Sequence, residues 1–586
     1  MPDVTVLHGQ PSFQQRGALR RGAVVTALVL GALACTSQPK NSAPTVEVGG
    51  ERLVGAFAGG GAGVAAFKGI PYAAPPVGEL RWKPPMPHTP RPGVQQATEY
   101  APSCLQAVES SDFYRHIAET FGQDPNQVPD LGPTSENCLY LNVWTTNLGG
   151  KKLLPVMLWI HGGANANGTP AALQTDGTNL ARKGVVVVTI NYRINLYGFL
   201  AHPALTAESE HRSSGNYALL DQIAALQWVQ RNAAAFGGDP GRVTVFGESA
   251  GGTNITYLLA SPLARGLFHR AVIQSGGYAV SDFRTLGEAE SVGTSLQEAL
   301  GLAGSKDALA AMRAAPPEDL RRAWLGIRKI GTNAPNVDGW VLPAATARTF
   351  DRGEQHQVPV IVGYNADEWT ALRHYWPIVT LDGFRQVLRA VYGPLAERAI
   401  ELYPATNDAE AAAAADRWQT DFYYVGPSSF IAERVAKAGG RAYLYVFSRR
   451  IHVPGGEKLG AHHGIEIPYV WDTLASETWV PRQPYDQELA STISGAWVRF
   501  ATTGDPNGGG MAAWPVYSSR ERGYLEFGDD TVRAGSSVRR PFADLYEQLL
   551  APKLASRAPL LPGTNREGGG GEELVSAARQ NVEGGR

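Results

Sequence analysis

Four short runs in this chain are apolar at nearly every position: Leu154–Ile160, Val185–Ile190, Val243–Phe246 and Val358–Val362. Alternate side chains of a strand point to opposite faces, so a run without alternation has to bury both faces, in a sheet covered by helices on each side. Between the second and third runs, Tyr217–Asn232 places Leu220, Ile223, Ala224, Leu226, Gln227 and Trp228 around a helical stripe. Strand–helix–strand alternation of this kind predicts an α/β fold with a large, mostly parallel mixed sheet flanked by helices. The stretch Thr45–Phe67 alternates more and predicts antiparallel strands at the N-terminal end. No repeat or low-complexity linker interrupts residues from about 45 to 550, which favours one large sheet over the four domains that 586 residues allow as a prior.

Charge removes other classes. Lys and Arg total 52 against 54 Asp and Glu, a net charge of −2, too balanced for a partner held by the phosphates of a nucleic acid. An apolar fraction of 44% excludes a disordered acidic chain. At the N-terminal end, Arg16, Arg20 and Arg21 precede the uncharged apolar stretch Gly22–Ala34. That pattern reads 1–34 as a secretory signal peptide, its 13-residue apolar run being too short to span a bilayer, which takes about 20 residues. Its first 15 residues have no apolar period and are open to reading as an over-called start. Ala32-Leu33-Ala34 fits a signal-peptidase site, and Cys35 directly after it also fits lipid attachment. Both readings stay open, and both imply export: secreted, periplasmic or lipid-anchored at the surface. Residues 35–44 then form a polar tether, and 562–586, with its glycine run Gly568–Gly571, a disordered tail. Of the three cysteines, Cys104 and Cys138 remain for one disulfide in an exported chain, or for two buried thiols. No Cys/His cluster with metal-ligand spacing occurs, so neither metal nor cofactor is expected.

Gly247-Glu248-Ser249-Ala250-Gly251 fits G-x-S-x-G, a weak signal in isolation. Its context makes it stronger. It follows the strand-like Val243–Phe246 and precedes a helical stretch, Ala250–Ala260. A serine on such an elbow stands at a helix N-terminus, where free N–H groups and the dipole favour developing negative charge.

The surrounding residues, Phe236-Gly237-Gly238-Asp239-Pro240-Gly241-Arg242 running into Val243–Gly251, resemble the serine signature of the type-B carboxylesterases, the group that includes cholinesterases and para-nitrobenzyl esterases. Phe67–Pro76, Ser135–Val143, Gly266–Ala271 and Thr502–Asn507 resemble the same family, in the family's order, from about 45 to 545. Asn137 stands where an acidic residue or Gly is usual. The resemblance implies an α/β-hydrolase fold and a Cys104–Cys138 disulfide.

It also implies a site. His161-Gly162-Gly163-Ala164 follows the first apolar run. By carry-over the oxyanion donors are the N–H groups of Gly163, Ala164 and Ala250, with Ala164 in place of the family's third glycine. The alanine keeps its N–H, but its methyl is a candidate to narrow the pocket. His161 reads as structural. Gly460-Ala461-His462-His463-Gly464-Ile465-Glu466 resembles the family's histidine loop, and alignment on Gly460 and Glu466 selects His463 over His462 as the general base. Gly363–Trp369 resembles G-x-x-x-D-E-G, which makes Glu368 the acid and Asp367 the fallback; Trp369 replaces the usual glycine.

A serine needs a base to take its proton, and the base needs a carboxylate to orient it. Ser249, His463 and Glu368 therefore predict an exported serine carboxylic-ester hydrolase of broad specificity, working through an acyl-enzyme on small to medium esters. Cholinesterases carry a Trp about ten residues before the second disulfide cysteine to hold a quaternary ammonium. Gln127–Asp130 has no aromatic residue, which disfavours choline esters and leaves Phe113, Tyr114 and Phe121 as the aromatic substitutes. Two other readings use the same fold: a catalytically silent binding protein, and an amidase or carbamate hydrolase with the same triad.

Overall fold

The computed structural model describes residues 43–555 apart from 60–62, 107–110, 131, 282, 328–332 and 376. The signal segment, Cys35 and the C-terminal tail lie outside the described residues, as does all of the tether before Ala43.

Eleven strands form the main sheet: β1 (Ala56–Phe57), β2 (Ala65–Pro71), β3 (Tyr140–Thr145), β4 (Leu154–Ile160), β5 (Val186–Ile190), β6 (Gly238–Glu248), β7 (Arg270–Gln274), β8 (Val360–Asn365), β9 (Ala442–Phe447), β10 (Gly523–Phe527) and β11 (Val532–Ser536). Their order is β11-β10-β9-β8-β7-β6-β4-β5-β3-β2-β1. Every pairing from β5 through β4, β6, β7, β8 and β9 to β10 is parallel. The outer pairings, β5–β3, β3–β2, β2–β1 and β10–β11, are antiparallel. All four apolar runs are strands of the parallel centre. The early stretch divides differently: Thr45–Val48 and Glu51–Val54 pair in a separate small sheet with Val94–Gln96, and only Ala56–Phe57 and the strand that follows it join the main one.

The burial explains the composition of the runs. Val156, Leu158 and Ile160 of β4 enter one core, while Met157 and Trp159 enter the other. In β9, Ala442, Leu444 and Val446 divide from Tyr443, Tyr445 and Phe447 in the same way. Helices α1 (Ser111–Thr120), α2 (Tyr217–Asn232), α3 (Ala250–Ala260), α4 (Gly426–Lys437), α5 (Pro484–Thr503) and α6 (Arg540–Ala555) are among those packed around the sheet. Helix α2 has the expected span, but it is buried on more than a stripe. Gln227 is exposed, whereas Asp221 and Gln222 are fully buried, Asp221 gripping Arg193 at 2.7 and 2.8 Å. A disulfide joins Cys104 to Cys138.

Candidate active site

Parallel strands in register bring their C-terminal ends to one edge: Glu248 is opposite Gln274, Gln274 opposite Gly363, and Asn365 opposite Phe447. Ser249 follows β6 at that edge and precedes α3. Its backbone is at φ +56° and ψ −123°, a conformation that L-residues rarely adopt and that costs on the order of 1–3 kcal/mol. The strain is held by packing and by the Ser249 N–H, which donates to the Gln274 carbonyl at 2.9 Å. Gly251 permits the tight turn, because a Cβ there would strike the Ile160 carbonyl.

The glycine-rich loop after β4 lies against this serine: a Cβ on Gly162 would stand 3.0 Å from the Ser249 Cβ. Neither the Gly163 nor the Ala164 N–H has a backbone carbonyl partner among the described residues. Ala250, the first residue of α3, presents an N–H with no intrahelical acceptor. Ala164 is at φ +53°, in the left-handed region. This accounts for the family's preference for glycine there, since an L-residue pays about 1–2 kcal/mol for that conformation. Its methyl is exposed. His161 is buried with its ring stacked on Tyr192, and its Nδ1 lies 2.9 Å from the Gly162 carbonyl. Burial pushes its pKa down to about 4, so it is a neutral structural group.

Glu368 and His463 arrive from the loops after β8 and β9. They touch: His463 Nδ1 is 2.6 Å from Glu368 Oε2, and the Glu368 side chain is fully buried. The second oxygen, Oε1, accepts the Asn365 N–H at 2.7 Å. Asp367 points elsewhere, accepting from Arg450 at 3.0 Å and from the Ala461 N–H at 2.9 Å. His462 also turns away, its Nδ1 being 2.9 Å from the His463 carbonyl. Trp369, in place of glycine, does not separate the acid from the imidazole. It stacks on Tyr423, with ring centroids 5.0 Å apart.

The other imidazole nitrogen, His463 Nε2, stands 3.3 Å from Oε1 of Glu248, the residue before Ser249. In this conformation no hydrogen bond links the Ser249 hydroxyl to the imidazole among the described residues. Resting sites commonly have such bonds long and close them when substrate binds. Three buried carboxylates thus surround His463. Glu466 accepts Asn365 Nδ2 at 2.6 Å and Gln274 Nε2 at 3.3 Å. Burial works against a charge on the imidazole, but Glu248 and Glu368 outweigh it and push its pKa up to about 9. Burial raises Glu248 to about 8, with the His463 charge opposing, and raises Glu466 to about 7, with Glu368 reinforcing. The roles of Glu248 and Glu466 are not legible in the sequence: one is the variable position of G-x-S-x-G, and the other serves there only as an alignment anchor. Two aromatic residues of the disulfide loop reach the histidines, Phe113 lying edge-on to His463 at 6.5 Å and Phe121 tilted against His462 at 6.3 Å. Among the described residues no group of three or more His, Cys, Asp and Glu is arranged to hold a metal ion.

A strained serine between a parallel strand and a helix, with an acid and a histidine on loops after later strands, defines the α/β-hydrolase class. Residues 42–545 match the model of the carboxylesterase family, and the chain belongs to that family. It is accordingly a carboxylic-ester hydrolase. It is 38% identical to the fumonisin B1 esterase of Sphingopyxis macrogoltabida, over 80% of this chain and 84% of that one. It is 33% identical to the liver carboxylesterase of Sus scrofa, over 91% and 98%. Among solved structures, a PNB esterase of 30% identity superposes with a TM-score of 0.74, over 86% of this chain and 99% of its own.

Proposed function

We propose that Ser249, His463 and Glu368 cleave carboxylic esters through an acyl-enzyme. Ser249 Oγ attacks the ester carbonyl carbon and passes its proton to His463 Nε2, while Glu368 holds the Nδ1 side of the imidazolium. The N–H groups of Gly163, Ala164 and Ala250 receive the oxyanion. The alcohol leaves with the proton from Nε2, and water then attacks the acyl carbon by the same route in reverse. The observation that carries this reading is the 2.6 Å contact between Glu368 and His463 at the strand edge where Ser249 forms its elbow. Phe113 beside the imidazole supports apolar acyl or alcohol groups of small to medium size, hence broad specificity. The basic-then-apolar segment at 16–34 supports export, with Cys35 either removed or lipid-bearing.

The test is hydrolysis of para-nitrophenyl acetate and butyrate by the wild type and by Ser249→Ala. Wild-type turnover that disappears in the variant is expected. Turnover that survives removal of the hydroxyl, or its absence in the wild type, rejects the assignment.

A further inference from the structure

The helix leading into α4 is not uniform. Asp408–Thr420 is α-helical, Asp421–Val425 is a π-helical turn, and Gly426–Lys437 is α-helical again. In the wide turn the Gly426 N–H donates to the Asp421 carbonyl, five residues back. Sequence and packing explain why it sits there. Pro427 has no N–H to give to the carbonyl four residues earlier, and its ring needs the room that a wider turn provides. Gly426 is required because a Cβ would press into the Tyr546 ring of α6. Single π-turns of this sort frequently mark functional positions.

The turn sends three consecutive aromatic residues in different directions. Phe422 packs on Trp418 at 5.6 Å, away from the site. Tyr423 stacks on Trp369, next to Glu368, and also meets Tyr278 at 5.2 Å. Tyr424 lies against the His463 ring at 5.2 Å. Tyr424 is 8% exposed, and its hydroxyl makes no hydrogen bond among the described residues yet is not one of the fully enclosed unpaired polar atoms, so its tip reaches open space. A tyrosine whose ring is buried against the catalytic imidazole while its hydroxyl stays accessible and unpartnered presents a polar handle to whatever enters beside His463. Burial, then the charges of Glu368 and Glu248, hold it well above the ordinary phenol range, so it remains an O–H donor.

We propose that Tyr424 is a specificity-determining residue, its hydroxyl donating to a second oxygen carried by the acyl or alcohol part of the ester, beyond the group being cleaved. The proposal rests on the reading of Ser249 and His463 as the ester-cleaving site. It makes the preferred substrates esters of oxygen-bearing acids or alcohols rather than of plain hydrocarbon chains. Trp369 has a positioning part, because its stack on Tyr423 fixes the turn that aims Tyr424.

Two pairs of near-isosteric esters separate the sources of that oxygen. Para-nitrophenyl methoxyacetate against para-nitrophenyl butyrate reports on the acyl side; 2-methoxyethyl butyrate against butyl butyrate, followed by acid release, reports on the alcohol side. For each pair the ratio of kcat/KM values is measured in the wild type, in Tyr424→Phe and in Trp369→Phe. In Tyr424→Phe the wild-type ratio for one pair is expected to fall by about threefold to tenfold, as for loss of one neutral hydrogen bond. Trp369→Phe shifts the same ratio in the same direction, and carries the test should Tyr424→Phe not be recovered folded. A role in packing alone lowers both members of a pair together, so ratios unchanged in both pairs overturn the proposal. A wild type that hydrolyses none of the four esters overturns the esterase site itself, which is a different failure.

Discussion

Glu368→Gln is isosteric, yet the structure makes it severe. Both carboxylate oxygens are committed, Oε2 to His463 Nδ1 at 2.6 Å and Oε1 to the Asn365 N–H at 2.7 Å. The Asn365 N–H belongs to the end of β8 and cannot rotate, so the amide oxygen of glutamine is fixed upon it. The amide NH2 then faces Nδ1, which must become the unprotonated nitrogen. The proton moves to Nε2, and the nitrogen that should accept the serine proton is already occupied. In a serine triad the equivalent acid-to-amide change costs about 10⁴ in kcat, which is about 5.5 kcal/mol of barrier. Asp367→Asn provides the contrast: its partners are Arg450 and the Ala461 N–H, so it loosens the histidine loop but leaves the tautomer intact. The assay is the initial rate on para-nitrophenyl butyrate for both variants, with thermal unfolding to establish that each is folded. A folded Glu368→Gln enzyme within tenfold of wild type, or a greater loss in Asp367→Asn, refutes the assignment of the acid.

The imidazole provides a pH test. Its pKa is pushed up to about 9 against burial, with Glu248 first among the charges that raise it. The base must be neutral to act, so kcat/KM rises with pH through an apparent pKa shared by His463 and Glu248. Glu248→Gln removes the larger of the raising charges, and the acid limb of the profile is expected to move to lower pH; an unmoved limb contradicts the 3.3 Å contact as its cause. The Cys104–Cys138 link closes a span of 34 residues. Replacing both cysteines by alanine is expected to lower stability by about 3–4 kcal/mol in the chain-entropy model, read from urea unfolding under oxidising conditions. No change in the midpoint rejects that contribution.

The strands that bury both faces are the most legible part of the fold. Their uniform apolar character has one physical cause, two cores fed by alternate residues, and Leu154–Ile160 shows it directly. The strands toward the C-terminal edge are harder to read. Ala442–Phe447 is apolar and buried at every position but alternates small or aliphatic with aromatic residues, and Gly523–Phe527 carries a glutamate and is only half-buried, so neither repeats the Val/Ile/Leu runs of its neighbours. Helix α2 is legible in extent but not in burial, because the Arg193–Asp221 pair makes a charged face compatible with the interior. At the site, the elbow and the Glu368–His463 pair follow from local motifs joined in a fixed order. The carboxylates of Glu248 and Glu466 and the ring of Tyr424 do not, since they reach His463 only through the tertiary arrangement of β6, the histidine loop and the π-turn.

The most direct measurement is mass spectrometry of the intact enzyme and of its peptides after treatment with diisopropyl fluorophosphate, which phosphorylates an activated serine. One adduct per chain is expected, on the peptide bearing Ser249, formed in step with loss of esterase activity and absent after Glu368→Gln under the same exposure. An active enzyme whose Ser249 peptide stays unmodified, or whose inactivation follows an adduct on another residue, contradicts the claim that this hydroxyl is the nucleophile.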